Sequence, residues 1–151
     1  MFNGRLTSIV KISLLSAIMA LTSSAFADPV KAAFVYIGPT GDHGWTYAHD
    51  QGANHLKDKM GDNVEITRIE SVAENSDSAR VITSLARKND IIFTTSFGYM
   101  EPTIKVAANY PDVKFEHATG YKLPNDNIQH SLPAVHAGPL FQKCSSRYSR
   151  V

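Results

Sequence analysis

Seven segments after Pro29 alternate between two hydrophobic periods, and that alternation restricts the fold more than any other feature of the chain. Val30–Ile37 (VKAAFVYI) is an apolar run of strand length, stopped by Gly38-Pro39. Trp45–Met60 follows with a helical stripe of Trp45, Ala48, Gly52, His55, Leu56 and Met60, closed by Gly61-Asp62-Asn63. Val64–Val72 (VEITRIESV) has the β-branched enrichment of a second strand. Over Ser76–Arg87 the spacing predicts a helix capped by Ser76 or Asp77, with Ala79, Val81, Ile82, Leu85 and Ala86 on one face. Asp90–Ser96 (DIIFTTS) is a third strand, Tyr99–Tyr110 a third helix that tolerates Pro102 in its first turn, and Val113–Tyr121 a fourth strand. Strands joined through helices by short connections pair in parallel, and the crossing helices cover both faces of the sheet. The expected fold class is α/β, a Rossmann-like parallel sheet with flanking helices.

The two ends of the chain depart from this rhythm. Arg5 and Lys11 precede the apolar run Ile12–Leu21, which is shorter than the ~20 residues a membrane-spanning helix needs. Ala25-Phe26-Ala27 then offers small residues at the first and third positions of a cleavage site, and no acid occurs before Asp28. Residues 1–27 therefore read as an export signal cleaved after Ala27, which places the mature protein in the periplasm. No cysteine near that point could carry a lipid anchor. At the other end, Ser131–Val151 shows neither period; a last strand and helix belong there, and the pattern does not supply them. The expected layout is a signal over 1–27, a lobe over 28–129 and an irregular tail over 130–151.

Removing 27 of the 151 residues leaves 124, an ordinary size for one domain. The signal takes two of the 15 basic residues and none of the 14 acidic ones, so the remainder carries a net charge of −1. A near-neutral chain without basic runs lacks the electrostatic footprint of a nucleic-acid binder. The single Cys144 cannot form an internal disulfide, so stability has to come from a hydrophobic core.

Open parallel sheets bind ligands beyond the carboxyl ends of their strands, where the strand order reverses. With the order 2-1-3-4, the reversal lies between the first and third strands. The crests there are Gly38–Tyr47 (GPTGDHGWTY) and Ser96–Tyr99 (SFGY), with Thr119-Gly120-Tyr121 after the fourth strand. Aromatic faces suit a flat heterocycle, glycines let the backbone approach its edge, and Asp42 can accept hydrogen bonds from it. The bland alternative is that Trp45 and Phe97 merely seal the helix–sheet core.

Other chemistries are weaker. Gly38, Gly41 and Gly44 are spaced G-x-x-G-x-x-G rather than G-x-G-x-x-G, and Asp42 would repel a pyrophosphate. His43, His49, Asp50 and His55 do not share one helical face as metal ligands would. Ser96 follows a strand, with His117 as a conceivable base, but it lacks the G-x-S-x-G elbow. A small secreted hydrolase or a metal-binding α/β domain is the alternative these residues leave open.

Four segments also carry a family likeness. Lys31–Gly52 (KAAFVYIGPTGDHGWTYAHDQG), the acidic-serine passage Glu70–Ala86, Ile91–Tyr99 (IIFTTSFGY) and Tyr110–Tyr121 (YPDVKFEHATGY) closely resemble the basic membrane protein family, periplasmic substrate-binding proteins of ABC importers. The likeness runs from about Lys31 to Gln129. It implies the N-terminal lobe of a type I periplasmic-binding fold, a purine nucleoside or nucleobase as ligand, and an inner-membrane ABC permease as partner. It implies no cofactor, no metal and no enzymatic step. The motif matching Asp42-His43-Gly44-Trp45-Thr46 reads Asp-Lys-Ser-Phe-Asn in many relatives, which assigns base stacking to Trp45 and a polar contact to Asp42. Phe97, Gly98 and Tyr99 fall on the second ligand loop, so the implied ligand-facing set is Asp42, His43, Trp45, Phe97, Gly98 and Tyr99. Two departures stand out: many members have a lipid-anchoring cysteine where this chain has Ala27-Asp28, and members run to roughly twice this length. The expectation is a truncated or frameshifted copy holding one lobe, with weak or undetectable purine binding of its own, because specific pockets bury about 70–90% of a small ligand.

Overall fold

A computed structural model describes residues 28–122 and 124–131. The export signal expected over 1–27 and nearly all of the irregular tail lie outside these residues. Among the described residues, no helix is long and apolar enough to cross a membrane.

The described chain forms one five-stranded sheet. Its strands are β1 (Val30–Val35), β2 (Val64–Ile69), β3 (Ile91–Thr94), β4 (Lys114–Ala118) and β5 (Ile128–Ser131). They lie in the order β2-β1-β3-β4-β5, and every pairing is parallel. Helices α1 (Trp45–Met60), α2 (Ser76–Ala86) and α3 (Met100–Ala107) occupy the first three crossovers. The α/β class and the reversal between β1 and β3 follow the sequence pattern.

The two-residue strand period divides the core. In β1, Ala32 and Phe34, with Tyr36 just beyond, face α1 and pack with Ala53, Leu56, Val64 and Ile91. Phe34 stacks on Phe93 of β3 at 4.4 Å. Ala33 and Val35 face the opposite way, into a larger cluster with Ile82 and Leu85 of α2, Val106 of α3, Ile92 and Phe115. Each fully buried aliphatic or aromatic side chain contributes about 1.5–3 kcal/mol.

Local details differ from the sequence reading. Asn75, not Ser76 or Asp77, caps α2, its Oδ1 accepting the Asp77 N–H at 2.7 Å. On α1 the buried residues are Thr46, Gly52, Ala53 and Leu56, whereas Ala48 and His55 face solvent. The packed face of α1 therefore runs through the small Gly52-Ala53 pair and Leu56 rather than through Ala48 and His55. The third helix begins only at Met100, because Phe97–Tyr99 forms a 3-10 turn ahead of it.

The strand β5 was not legible in the sequence. Ile-Gln-His-Ser contains one apolar residue and no usable period. Its ladder with β4 defines it, with Phe115 opposite Ile128 and His117 opposite His130. Buried Asn127 anchors the approach: its Nδ2 group lies 3.0–3.1 Å from the carbonyls of Ala107, Tyr110 and Val113.

Candidate functional site: an aromatic rim at the sheet reversal

The loops after β1 and β3 meet at the carboxyl end of the sheet. The first is shaped by short polar contacts. Gly38 N–H donates to Thr46 Oγ1 at 3.2 Å, and Gly44 N–H donates to Asp42 Oδ1 at 2.8 Å across the 3-10 turn Thr40–Asp42. His43 adopts a left-handed conformation (φ 54°) to turn the chain into α1. Asp42, expected as a ligand contact, thus also builds the turn that presents Trp45. His43 lies exposed on the same loop, its ring 4.8 Å from Tyr47.

Three large aromatics stand exposed on this edge: Trp45 at 38%, Phe97 at 58% and Tyr121 at 70%. The Trp45 indole Nε1–H donates to the Thr95 carbonyl at 2.5 Å, which ties the first rim loop directly to the end of β3. Phe97 stacks against Tyr121 from the crest after β4, at 6.4 Å and 29°. Three crests therefore each contribute an aromatic face. Phe97 and Tyr121 stand clear of the helix–sheet core, whereas Trp45 lies at its boundary, mostly covered and packed on His49.

Under the indole lies His49, one helical turn along α1. Its ring meets Trp45 at 4.6 Å and 62°, and its buried Nε2 has no hydrogen-bond partner among the described residues. Burial penalises the imidazolium and lowers the His49 pKa to about 4. The sign is that of a base depressed on folding. Stability contributed by the neutral ring is complete above the unfolded value near 6.5, declines as the pH falls towards 4, and changes no further below that. Trp45 is the only tryptophan in the chain. Its fluorescence is expected to titrate with a midpoint near pH 4, and His49→Gln to abolish that transition; a flat profile down to pH 3.5 in the folded chain would exclude the contact.

Tyr99 corrects the expected ligand set. It is completely buried in the α2/α3 core, and its hydroxyl donates to the Val72 carbonyl at 2.5 Å. Burial, with the Glu74 carboxylate adding to it, raises the phenol to about 12 and keeps it a neutral donor. Gly98 remains at the rim but is occupied from behind. Its N–H donates to Glu74 Oε1 at 2.9 Å, and an added Cβ would lie 2.6 Å from the same oxygen.

The rival constellations are dispersed. Asp50 accepts from Tyr36 Oη at 3.1 Å and from Arg68 Nε at 2.6 Å, so it belongs to a packing network under β1 and β2. His55 faces solvent. Ser96 Oγ is held by Glu74, and His117 lies fully buried within β4. Sequence reasoning did not single out Glu70 or Glu74; Tyr121 was placed on a crest but outside the ligand-facing set. The available signal was two glutamates four residues apart just past the end of β2, on the same edge as the aromatics.

Comparison with known proteins identifies the family and the fold. Residues 29–134 match the family described as Bmp, ABC transporter substrate-binding protein PnrA-like. A purine-binding protein of Brucella abortus is 59% identical over 96 residues, covering 63% of this chain and 27% of that protein. A Haloferax volcanii protein named as an ABC transporter glucose-binding protein is 49% identical over 96 residues, covering 63% of this chain and 24% of that protein. The chain thus spans about a quarter of the length of these two relatives. A solved ABC transporter solute-binding protein from Conexibacter woesei has the same fold, with a TM-score of 0.61 and 23% identity over 68% of this chain and 35% of its own. The chain belongs to the Bmp, PnrA-like family of ABC transporter substrate-binding proteins.

Proposed function

We propose that the described residues form one wall of a binding site for a purine-like heterocycle, serving an ABC importer. Trp45 supplies the main stacking face. Phe97 and Tyr121 supply a second, and Asp42, His43 and the Gly98 backbone border the ring edge. The observation that carries this reading is the trio of exposed aromatics from three crests, gathered where the sheet order reverses. The 59% identity to a protein named for purine binding supports the ligand class. The expected setting is the periplasm, after export and cleavage behind Ala27, with delivery to an inner-membrane permease. Recognition is by stacking and hydrogen bonding, and no covalent step is proposed.

Because Trp45 is the sole tryptophan, its emission reports on the rim alone. Adenine, hypoxanthine and guanosine are expected to quench it saturably but weakly, with a Kd on the order of 1 mM, as suits the shallow, exposed rim of the described residues. Glucose is the control, given the name of the Haloferax relative. A saturable response to glucose and none to purines would reverse the ligand assignment; no response to either would remove the functional reading.

A further inference from the structure

Two 3-10 turns carry the rim, Thr40–Asp42 ahead of Trp45 and Phe97–Tyr99 ahead of α3, and neither has a side-chain cap from its own preceding residue. Their leading donors are satisfied from a third place. Thr40 N–H and Thr40 Oγ1 donate to the Glu70 carboxylate at 3.2 and 2.9 Å. Gly98 N–H donates to Glu74 Oε1 at 2.9 Å, and Ser96 Oγ donates to the same oxygen. Both glutamates sit on the connection between β2 and α2, which itself carries no rim aromatic.

That connection is pinned between its two acids. Ser71 takes a left-handed conformation (φ 55°) immediately after Glu70. Val72 is buried; its N–H donates to the Tyr36 carbonyl at 3.0 Å, and its own carbonyl accepts the Tyr99 hydroxyl at 2.5 Å. Ionised acceptors make shorter and stronger bonds to N–H and O–H donors than neutral ones do, and a carboxylate is favoured where a helical turn presents its free N–H groups. One anchored segment thus reaches both recognition turns with a charged arm on each.

We infer that Glu70 and Glu74 are positioning residues: a two-armed brace that caps the two rim turns from outside and sets the separation of Trp45 and Phe97. Neither acid is required to touch the ligand. The consequence for affinity rests on the purine reading above; the ordering of the turns does not.

The test uses the full chain, with amide hydrogen exchange and purine quenching of Trp45 measured side by side. Glu74→Ala is expected to speed exchange at Gly98 at least tenfold and to reduce the initial quenching slope about fivefold. Exchange at Thr40 and at core Ile92 should stay unchanged. Glu70→Ala should loosen Thr40 and spare Gly98. Glu74→Gln keeps a carbonyl acceptor and should restore most of the protection and most of the slope. Unaltered Gly98 exchange in Glu74→Ala overturns the brace, and so does equal acceleration at Gly98, Thr40 and Ile92, which is the mark of general destabilisation. If the unsubstituted chain does not respond to purines, the functional reading fails, and the site-by-site exchange pattern still decides the brace.

Discussion

Replacing Trp45 with alanine is expected to remove purine binding from the measurable range while leaving the fold intact. Stacking of one base on an aromatic face is worth ~1–3 kcal/mol, a factor of roughly 5 to 150 in affinity. Applied to a Kd on the order of 1 mM, a loss of that size leaves almost nothing to detect. The indole also donates to the Thr95 carbonyl at 2.5 Å, so alanine frees the first rim loop from the end of β3 as well as deleting the face. Trp45→Phe separates these effects: it keeps a ring and loses the N–H, so part of the ligand-observed signal should survive. The emission probe disappears with the residue, so the measurement is ligand-observed NMR of the purine H2 and H8 resonances. Wild-type line broadening in Trp45→Ala would remove the indole from the site. Because Trp45 is 38% exposed, the thermal midpoint should move by only a few degrees.

The second large effect is on stability. Tyr99→Phe deletes the hydroxyl that meets the Val72 carbonyl and leaves that buried acceptor without its donor, at a cost of about 1–3 kcal/mol. Tyr99→Ala also empties a fully buried ring site between α2 and α3, at about 3–5 kcal/mol. Against the 5–15 kcal/mol typical of a whole domain, the alanine variant should lose a large share of its stability. The check is the urea midpoint of each variant at constant m-value. A Tyr99→Ala chain as stable as the parent would show that the residue is not the core pillar its burial indicates. The contrast with Trp45 is diagnostic: two aromatics from neighbouring crests should fail in opposite assays.

Much of this was written in the residues. The alternation of two- and 3.6-residue periods names the first four strands and the three helices, because periodicity is local and every amphipathic element must bury its apolar side. The gathering of Gly38–Tyr47 and Ser96–Tyr99 at one edge follows from strand order alone, since parallel strands put all their carboxyl ends together. The family likeness rests on the same segments and is carried by the match over 29–134. The strand β5 was hidden because four residues are too few to show a period, and only pairing with β4 distinguishes them from a loop.

The sequence by itself therefore determined the α/β class and the first four strands, and the common strand order then placed the Gly38–Tyr47 and Ser96–Tyr99 crests on one edge. Only the tertiary structure decided which side chains of that edge meet solvent. Phe97 and Tyr99 stand two residues apart in one 3-10 turn, where successive side chains point about 120° apart, so one projects outward and the other into the core. The roles of Glu70 and Glu74 were equally invisible along the chain. Their partners lie 30 residues back and 22 to 24 residues ahead, and proximity of that kind exists only once the sheet has closed the loops upon each other.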